Sequence, residues 1–431
     1  MSDTARPAIA NPPPPASARR PDARRRRPPW PAALGLALPA LLAGCYHSNS
    51  GPYYAYPPVE VSYGVAAADF NGDGFADVVQ LSTIMPIQTA NASDLKAYLS
   101  TGAGAFAAPA TTAAGTNPLF VVAADVDLDG FTDLVTASYD DGAIAVFPNS
   151  AATPGSFGAP LVLRSQGASQ LAIADMTGDG LPDIVSADFN VSLFVQTAAG
   201  AFAAAVPLYP GGANWVAVGD LNGDGAPDIA LTDAEGVKLL LHIGAPSDTT
   251  FAAPLSVFTQ TANANLVGAN IIAIADVDGD GLNDLVLTDP GPTGGMAATV
   301  NVLLQDPANR GSFLAAVPYA IATQDVPQSI RLADLEGSGK LDIVIGERGT
   351  VTVLLHDPAN PGQFLPATVY PASDANEIAI ADVDGDGRPD IVLSNGVTQP
   401  LVNGIYTTQP GVLLQSATTP GAFGTHQDLL P

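Results

Sequence analysis

The chain has 431 residues, 47% hydrophobic and only 13% charged, a composition that buries a core and excludes a disordered protein. Acidic residues outnumber basic ones by 42 to 15, a formal net charge of −27. A surface of that sign repels phosphate backbones and anionic headgroups, so nucleic acid is excluded as a partner.

The first 44 residues differ from the rest. Seven of the 15 basic residues fall here (Arg6, Arg19, Arg20 and Arg24 to Arg27), followed by an apolar run from Trp30 to Leu42. A positive region, an apolar region and small residues ahead of a cut mark a secretory signal, and the run is short for a bilayer span. Leu42-Ala43-Gly44-Cys45 resembles the lipobox of bacterial lipoproteins, which implies a signal peptide over 1–44 and lipidation of Cys45. Cys45 is the sole cysteine, so no internal disulfide exists. Without the leader 8 basic and 40 acidic residues remain, a net charge of about −32. Tyr46 follows the cysteine where an Asp would retain the chain, so the resemblance implies a cell-envelope protein tied by lipid to the outer membrane. Residues 45–61 are rich in Ser, Asn, Gly, Pro and Tyr, and read as a tether.

From residue 62 to 431 one unit recurs. Its landmark is an acidic loop with oxygen-bearing side chains at positions 1, 3, 5 and 9 and Gly at 6, starting at Asp69, Asp125, Asp175, Asp220, Asp276, Asp334 and Asp382. The spacing, 45 to 58 residues, signals a solenoid, propeller or array. A short apolar strand enters each loop and another leaves it, as in Leu171-Ala172-Ile173-Ala174 and Ile184-Val185-Ser186. A third strand follows, then a turn ending on one Phe per unit (Phe106, Phe157, Phe202, Phe251, Phe313, Phe364, Phe423), then a weaker fourth strand. Seven units of four strands predict an all-β fold, a seven-bladed β-propeller of four-stranded antiparallel blades. Each unit contains a whole blade, so no strand shared between the termini is demanded; pairing of residues 52–62 near 423–430 is the candidate latch.

These units resemble the FG-GAP and VCBS repeats of integrin-α-like propellers. Phe157-Gly158-Ala159-Pro160 is the literal motif, with Phe106-Ala107-Ala108-Pro109 and Phe251-Ala252-Ala253-Pro254 as near variants.

The acidic loops have the chemistry of calcium sites. Ca²⁺ takes six to eight oxygens in a flexible shell, whereas Mg²⁺ demands octahedral geometry and keeps its waters. The expected ligands are side chains at 1, 3, 5 and 9 and the carbonyl at 7. They are Asp69, Asn71, Asp73, Phe75 and Asp77 in the first copy, and Asp125, Asp127, Asp129, Phe131 and Asp133 in the second. The third has Asp175, Thr177, Asp179, Leu181 and Asp183; the fourth Asp220, Asn222, Asp224, Ala226 and Asp228; the fifth Asp276, Asp278, Asp280, Leu282 and Asp284. The sixth has Asp334, Glu336, Ser338, Lys340 and Asp342, and the seventh Asp382, Asp384, Asp386, Arg388 and Asp390. Up to seven Ca²⁺ are expected. Thr177 weakens the third site; an extra methylene, a missing carboxylate and an ammonium count against the sixth. An EF-hand needs Glu at position 12, where this chain has Gln80, Thr136, Ser186, Leu231, Leu287, Ile345 and Leu393. The loops therefore belong in β-hairpins.

No Gly-x-Ser-x-Gly or His-Glu-x-x-His motif is present, and His242 and His356 hold equivalent repeat positions, as structural residues do. No enzyme is expected. In an up-and-down blade the acidic loops and the Phe turns share one face. The irregular segments 82–94, 139–141, 211–215, 290–298 and 397–407 share the other. Tyr139, Trp215 and Tyr406 are its ligand candidates, able to stack on sugars or anchor a protein. The expected role is a calcium-stabilised, lipid-anchored scaffold for binding or adhesion to a protein or glycan. The alternative is a sugar lyase or hydrolase working at the ring's centre.

Overall fold

A computed structural model describes residues 59–85, 93–244, 249–259, 271–289, 298–321, 327–373, 375–395 and 408–430. Among them are seven four-stranded antiparallel sheets, each built from one contiguous stretch of chain, and no helix. The chain is a seven-bladed propeller. Two small two-stranded ribbons, Ser100–Gly102 with Ala105–Phe106 and Gln196–Ala198 with Ala201–Phe202, extend blades 1 and 3.

The innermost strands are Val59–Ala68, Pro118–Ala124, Gln170–Ala174, Trp215–Gly219, Ile272–Ala275, Pro327–Ala333 and Ile378–Ala381. Each adjoins the next in this order, and the last adjoins the first. Their ends are small: the residue before each acidic loop is Ala or Gly, and it always pairs with the position-9 acid, from Ala68 with Asp77 to Ala381 with Asp390. Second strands such as Asp133–Ser138 and Asp284–Asp289 are buried at every residue, because a blade is covered on both sides.

Seven apolar clusters hold the ring, one at each seam between blades. In each, the turn Phe of one blade packs among side chains of the blade before it. Phe157 meets Phe70 edge to face at 5.5 Å, and Phe423 meets Tyr370 in the same way. Phe106 does this between blades 1 and 7.

Two expectations are corrected. The first strand begins at Val59, so Val59 to Val61, read as tether, pair with Thr83 to Met85 inside blade 1. Ser62 likewise pairs with Ser82, while Gln427–Asp428 pairs with Gly411–Leu413 in blade 7, so among the described residues no strand is shared between the ends. Polar contacts reinforce the closing seam instead: the Ser62 N–H donates to Asn395 Oδ1 (3.1 Å), and Gln80 Nε2 donates to the Ser394 carbonyl (2.8 Å). Residues 52–58 of the expected latch lie outside the described residues.

Candidate functional site

The position-9 acid is buried in every blade and bolts three elements together. Its Oδ2 accepts the N–H of position 2, and its Oδ1 accepts the N–H of the residue two past the end of the third strand. For Asp284 these donors are Val277 (3.0 Å) and Gln305 (2.8 Å); for Asp77 they are Phe70 (3.0 Å) and Ser100 (2.7 Å). The same pair recurs at Asp133, Asp183, Asp228, Asp342 and Asp390. Burial pushes the carboxyls of Asp77, Asp228, Asp284 and Asp390 up to about 6, with the N–H donors pulling the other way. Asp133, Asp183 and Asp342 shift upward for the same reason.

Position 1 folds the loop around itself. Asp276 Oδ2 accepts the Gly281 N–H (2.9 Å) and its Oδ1 accepts the Gly279 N–H (2.6 Å); Asp280 Oδ1 accepts the Leu282 N–H (2.8 Å). Gly281 has φ of 88°, and a Cβ there would meet nothing within 4 Å, so backbone conformation and not crowding demands glycine. Blade 2 departs at position 4, where Leu128 replaces glycine with φ of 58° and stands 51% exposed.

In the three loops with Asp throughout, the carboxylates of positions 1, 3 and 9 approach within 4.8 Å: Asp125, Asp127 and Asp133; Asp276, Asp278 and Asp284; Asp382, Asp384 and Asp390. These clusters can hold metal ions. Position 5 stands outside that closest group, occupied by the turn bond to position 7. Burial and neighbouring carboxylates raise Asp127, Asp278 and Asp384. Asp125 Oδ1 and Thr177 Oγ1 are buried with no hydrogen-bond partner, the condition of an oxygen that fits a cation. The sixth loop forms no such cluster among the described residues; its Lys340 instead donates to the Asp278 carbonyl of blade 5 at 3.2 Å. Arg388 pairs with Asp386 at 2.6 Å.

The residue two past the end of each third strand is a second device; the sequence marks His242 and His356 as structural at this place but not the bonds made from it. Asn149, Gln196 and Gln415 each donate a side-chain N–H to the position-2 carbonyl of the preceding blade (Phe70, Val126, Leu335) and to the position-8 carbonyl of their own. His242 and His356 occupy this place, buried, with rings edge to face on Phe251 and Phe364. His426 Nε2 lies 3.4 Å from Ser373 Oγ, but that hydroxyl donates to the Asn395 carbonyl and is not set up as a nucleophile.

On the opposite face, Tyr139 (46% exposed) and Phe189 (59% exposed) occupy equivalent loops of blades 2 and 3, with ring centroids 6.1 Å apart. Phe189 escaped notice in the sequence; its place one blade on from Tyr139 was the available signal. Trp215 is half-buried. It meets Phe120 of blade 2 edge to face at 5.9 Å and packs against the cores of the 2–3, 4–5 and 5–6 seams. A side chain of blade 4 that touches blades on both sides in this way lies over the axis of the ring. Tyr406 and Cys45 lie outside the described residues, as do all of 397–407, most of 290–298 and the middle of 82–94.

The profile of a family described as FG-GAP-like repeat matches residues 125–186, 175–231, 276–345 and 334–393, together more than half of the chain. No curated protein matches. Among solved structures, the chain is similar in fold to an Agrocybe aegerita lectin, whose structure concerns recognition of non-reducing terminal N-acetylglucosamine. The two are 23% identical, with TM-score 0.50 over 72% of this chain and 80% of that one. A Lactobacillus plantarum protein is 12% identical, TM-score 0.48, covering 73% and 86%. A putative 6-phosphogluconolactonase from Bacteroides fragilis is 14% identical, TM-score 0.47, covering 72% and 85%.

Proposed function

Since the chain belongs to the FG-GAP-like repeat family, we propose that it is a calcium-stabilised binding scaffold, holding one face of its ring constant and presenting the other to a glycan or protein ligand. The observation that carries this reading is the division of labour between faces. Acidic loops and Phe turns repeat one geometry around the ring, while the loops opposite differ in sequence and range from two residues in blades 4 and 6 to four in blades 2 and 3 and more elsewhere. Binding residues concentrate on variable loops held by a rigid frame.

Calcium is the ion proposed for the loops, held by positions 1, 3 and 9 in blades 2, 5 and 7 and by the same positions in weaker form in blades 1, 3 and 4. Bound there, it supplies positive charge that offsets the repulsion of the converging carboxylates. The sixth loop, with Ser338 at position 5 and its lysine turned to blade 5, is proposed to bind none. We propose further that Cys45 carries lipid and holds the propeller at the outer membrane of a cell envelope. The lectin likeness is one of fold and fits a ligand-presenting role. An enzyme at the centre of the ring is the second reading. Trp215, packed over the axis against three seams, favours the scaffold.

A glycan array and an envelope-protein array, each probed with full chain in calcium and in EGTA, test the reading. Saturable, calcium-dependent binding to either supports it; turnover of a polysaccharide without a stable complex points to the enzyme. Recovery of Cys45→Ser in the soluble fraction, with the parent in membranes, tests the anchor.

A further inference from the structure

We infer that a neutral pyranose binds on the variable face at the junction of blades 2 and 3, stacked on Tyr139 and Phe189 and hydrogen-bonded through the exposed carboxylates of Asp140 and Asp141, the first of them held by Asn117. The inference rests on the scaffold reading and deepens it by naming the ligand class and the place.

The two rings project from equivalent loops of adjacent blades, tilted 48° to one another, so neither covers the other. Gly167, with φ of 91°, lies between them: a Cβ there would stand 3.3 Å from Phe189 Cε2 and 3.5 Å from the Tyr139 ring. The glycine leaves a notch with an aromatic face on either side. Among the described residues of this face, these two are the large apolar side chains left exposed. Two rings make a small patch, well under the roughly 800 Å² per partner of a stable protein interface, and suited to the C–H face of a sugar.

Polar groups begin at the next residue. Asp140 and Asp141 are exposed in the turn after Tyr139. Asp140 Oδ2 accepts from Asn117 Nδ2 at 2.8 Å. Asn117 comes from the connection between blades 1 and 2, is 95% buried, holds a left-handed φ of 48°, and leaves its Oδ1 without a hydrogen-bond partner. Asn117 lies beneath the surface and holds the Asp140 carboxylate in place, leaving the exposed carboxylates of Asp140 and Asp141 to accept hydrogen bonds beside the rings. Sugar hydroxyls supply donors in number. Anionic ligands are repelled by the two carboxylates and by a net charge of −27. A cationic peptide would satisfy the acids but leave the two rings without a matching apolar anchor.

The test uses the full chain in calcium with three probes: the methyl β-glycosides of glucose, galactose and N-acetylglucosamine. Saturation-transfer NMR and titration are expected to show binding of at least one, with contacts concentrated on one ring face. Phe189→Ala and Tyr139→Ala should each weaken it about tenfold, with unchanged melting because both side chains are exposed. Asp140→Asn should weaken it while leaving the stacking contacts in the spectrum. Binding that survives all three substitutions overturns the assigned place but leaves the scaffold standing. Failure of all three glycosides to bind overturns the ligand class, and the protein array then decides the scaffold reading by itself.

Discussion

Gly104, in the Phe turn of blade 1, lies against Asp384, at position 3 of the acidic loop of blade 7. A Cβ added to Gly104 would stand 3.2 Å from that of Asp384. The same relation links Gly155 to Asn71, Gly200 to Asp127, Gly311 to Asn222, Gly362 to Asp278 and Gly421 to Glu336, always a turn glycine over position 3 of the blade before. The seam between first and last blades is therefore built like the others, and the turn glycines press on the side chains proposed as ligands. Gly362→Ala, where a Cβ would lie 2.9 Å from Leu304 and 3.0 Å from Asp278, should cost about 1–3 kcal/mol by denaturant titration, from the left-handed φ of 73° and overpacking. It should also weaken calcium binding at blade 5. A silent Gly362→Ala would contradict the close seam.

Positions 3 and 9 separate ion binding from folding. Asp278→Ala removes a candidate ligand that accepts only the Asp280 N–H of its own loop (3.0 Å) and no strand N–H; it should leave the metal-free melting temperature nearly unchanged and abolish the rise that calcium gives through blade 5. Asp284→Ala strands the buried N–H groups of Val277 and Gln305, at about 1–3 kcal/mol each, and should destabilise the chain even in EGTA. For the parent, saturating calcium at a hundred times the dissociation constant adds roughly 2.7 kcal/mol per site. Identical melting curves for the parent in calcium and EGTA would remove calcium from the account.

Leu128 pays for a conformation that glycine adopts freely. Its φ of 58° in an exposed loop costs about 1–2 kcal/mol relative to a residue at ease there. Leu128→Gly should be stabilising by about 1 kcal/mol, the larger unfolded-state entropy of glycine offsetting part of the relief. A loss of stability on substitution would show that the exposed side chain makes a contact that outweighs its strain.

Glu377 makes stability depend on pH. Buried at the last seam, its carboxyl is pushed up to about 7 by loss of water, with Arg331, 2.6 Å away, pulling it down. Unfolded, it titrates near 4.5. Between those values the folded state binds the extra proton, so the group's contribution is full below about pH 4.5 and declines as pH rises through 7. Glu377→Gln should flatten the decline between pH 5 and 8, by a difference on the order of 2–3 kcal/mol, measured in calcium so that the acidic loops stay charged. Parallel profiles for parent and variant would rule out this group as the source.

What the sequence made legible was local. Asp, Gly and Asp at fixed offsets within nine residues specify a loop by themselves, and Phe157 with its six counterparts set the period. The strands followed, and the number of blades with them. Asp284 was read as a ligand alone, because its two donors are main-chain groups 7 and 21 residues away that no side-chain pattern reveals. Gln415 and His242 were legible as one repeat position, but its task across the seam was hidden, because the acceptors are main-chain carbonyls of the preceding blade. Trp215 has partners in blades 2, 5 and 6, which only ring closure brings near. Val59 to Val61 fell on the wrong side of a boundary because Tyr and Pro just upstream mask the alternation of their strand.

Each blade is cut from a single length of chain, and among the described residues no strand is borrowed across the join. A copy of about fifty residues is thus at once a unit of heredity and a unit of masonry. Duplicating or deleting one in the gene yields a whole wedge with a Phe ready for one neighbour and an acidic loop ready for the other. Such a chain can change its number of blades in one step, and can redraw the loops of any single blade without disturbing how that blade is gripped.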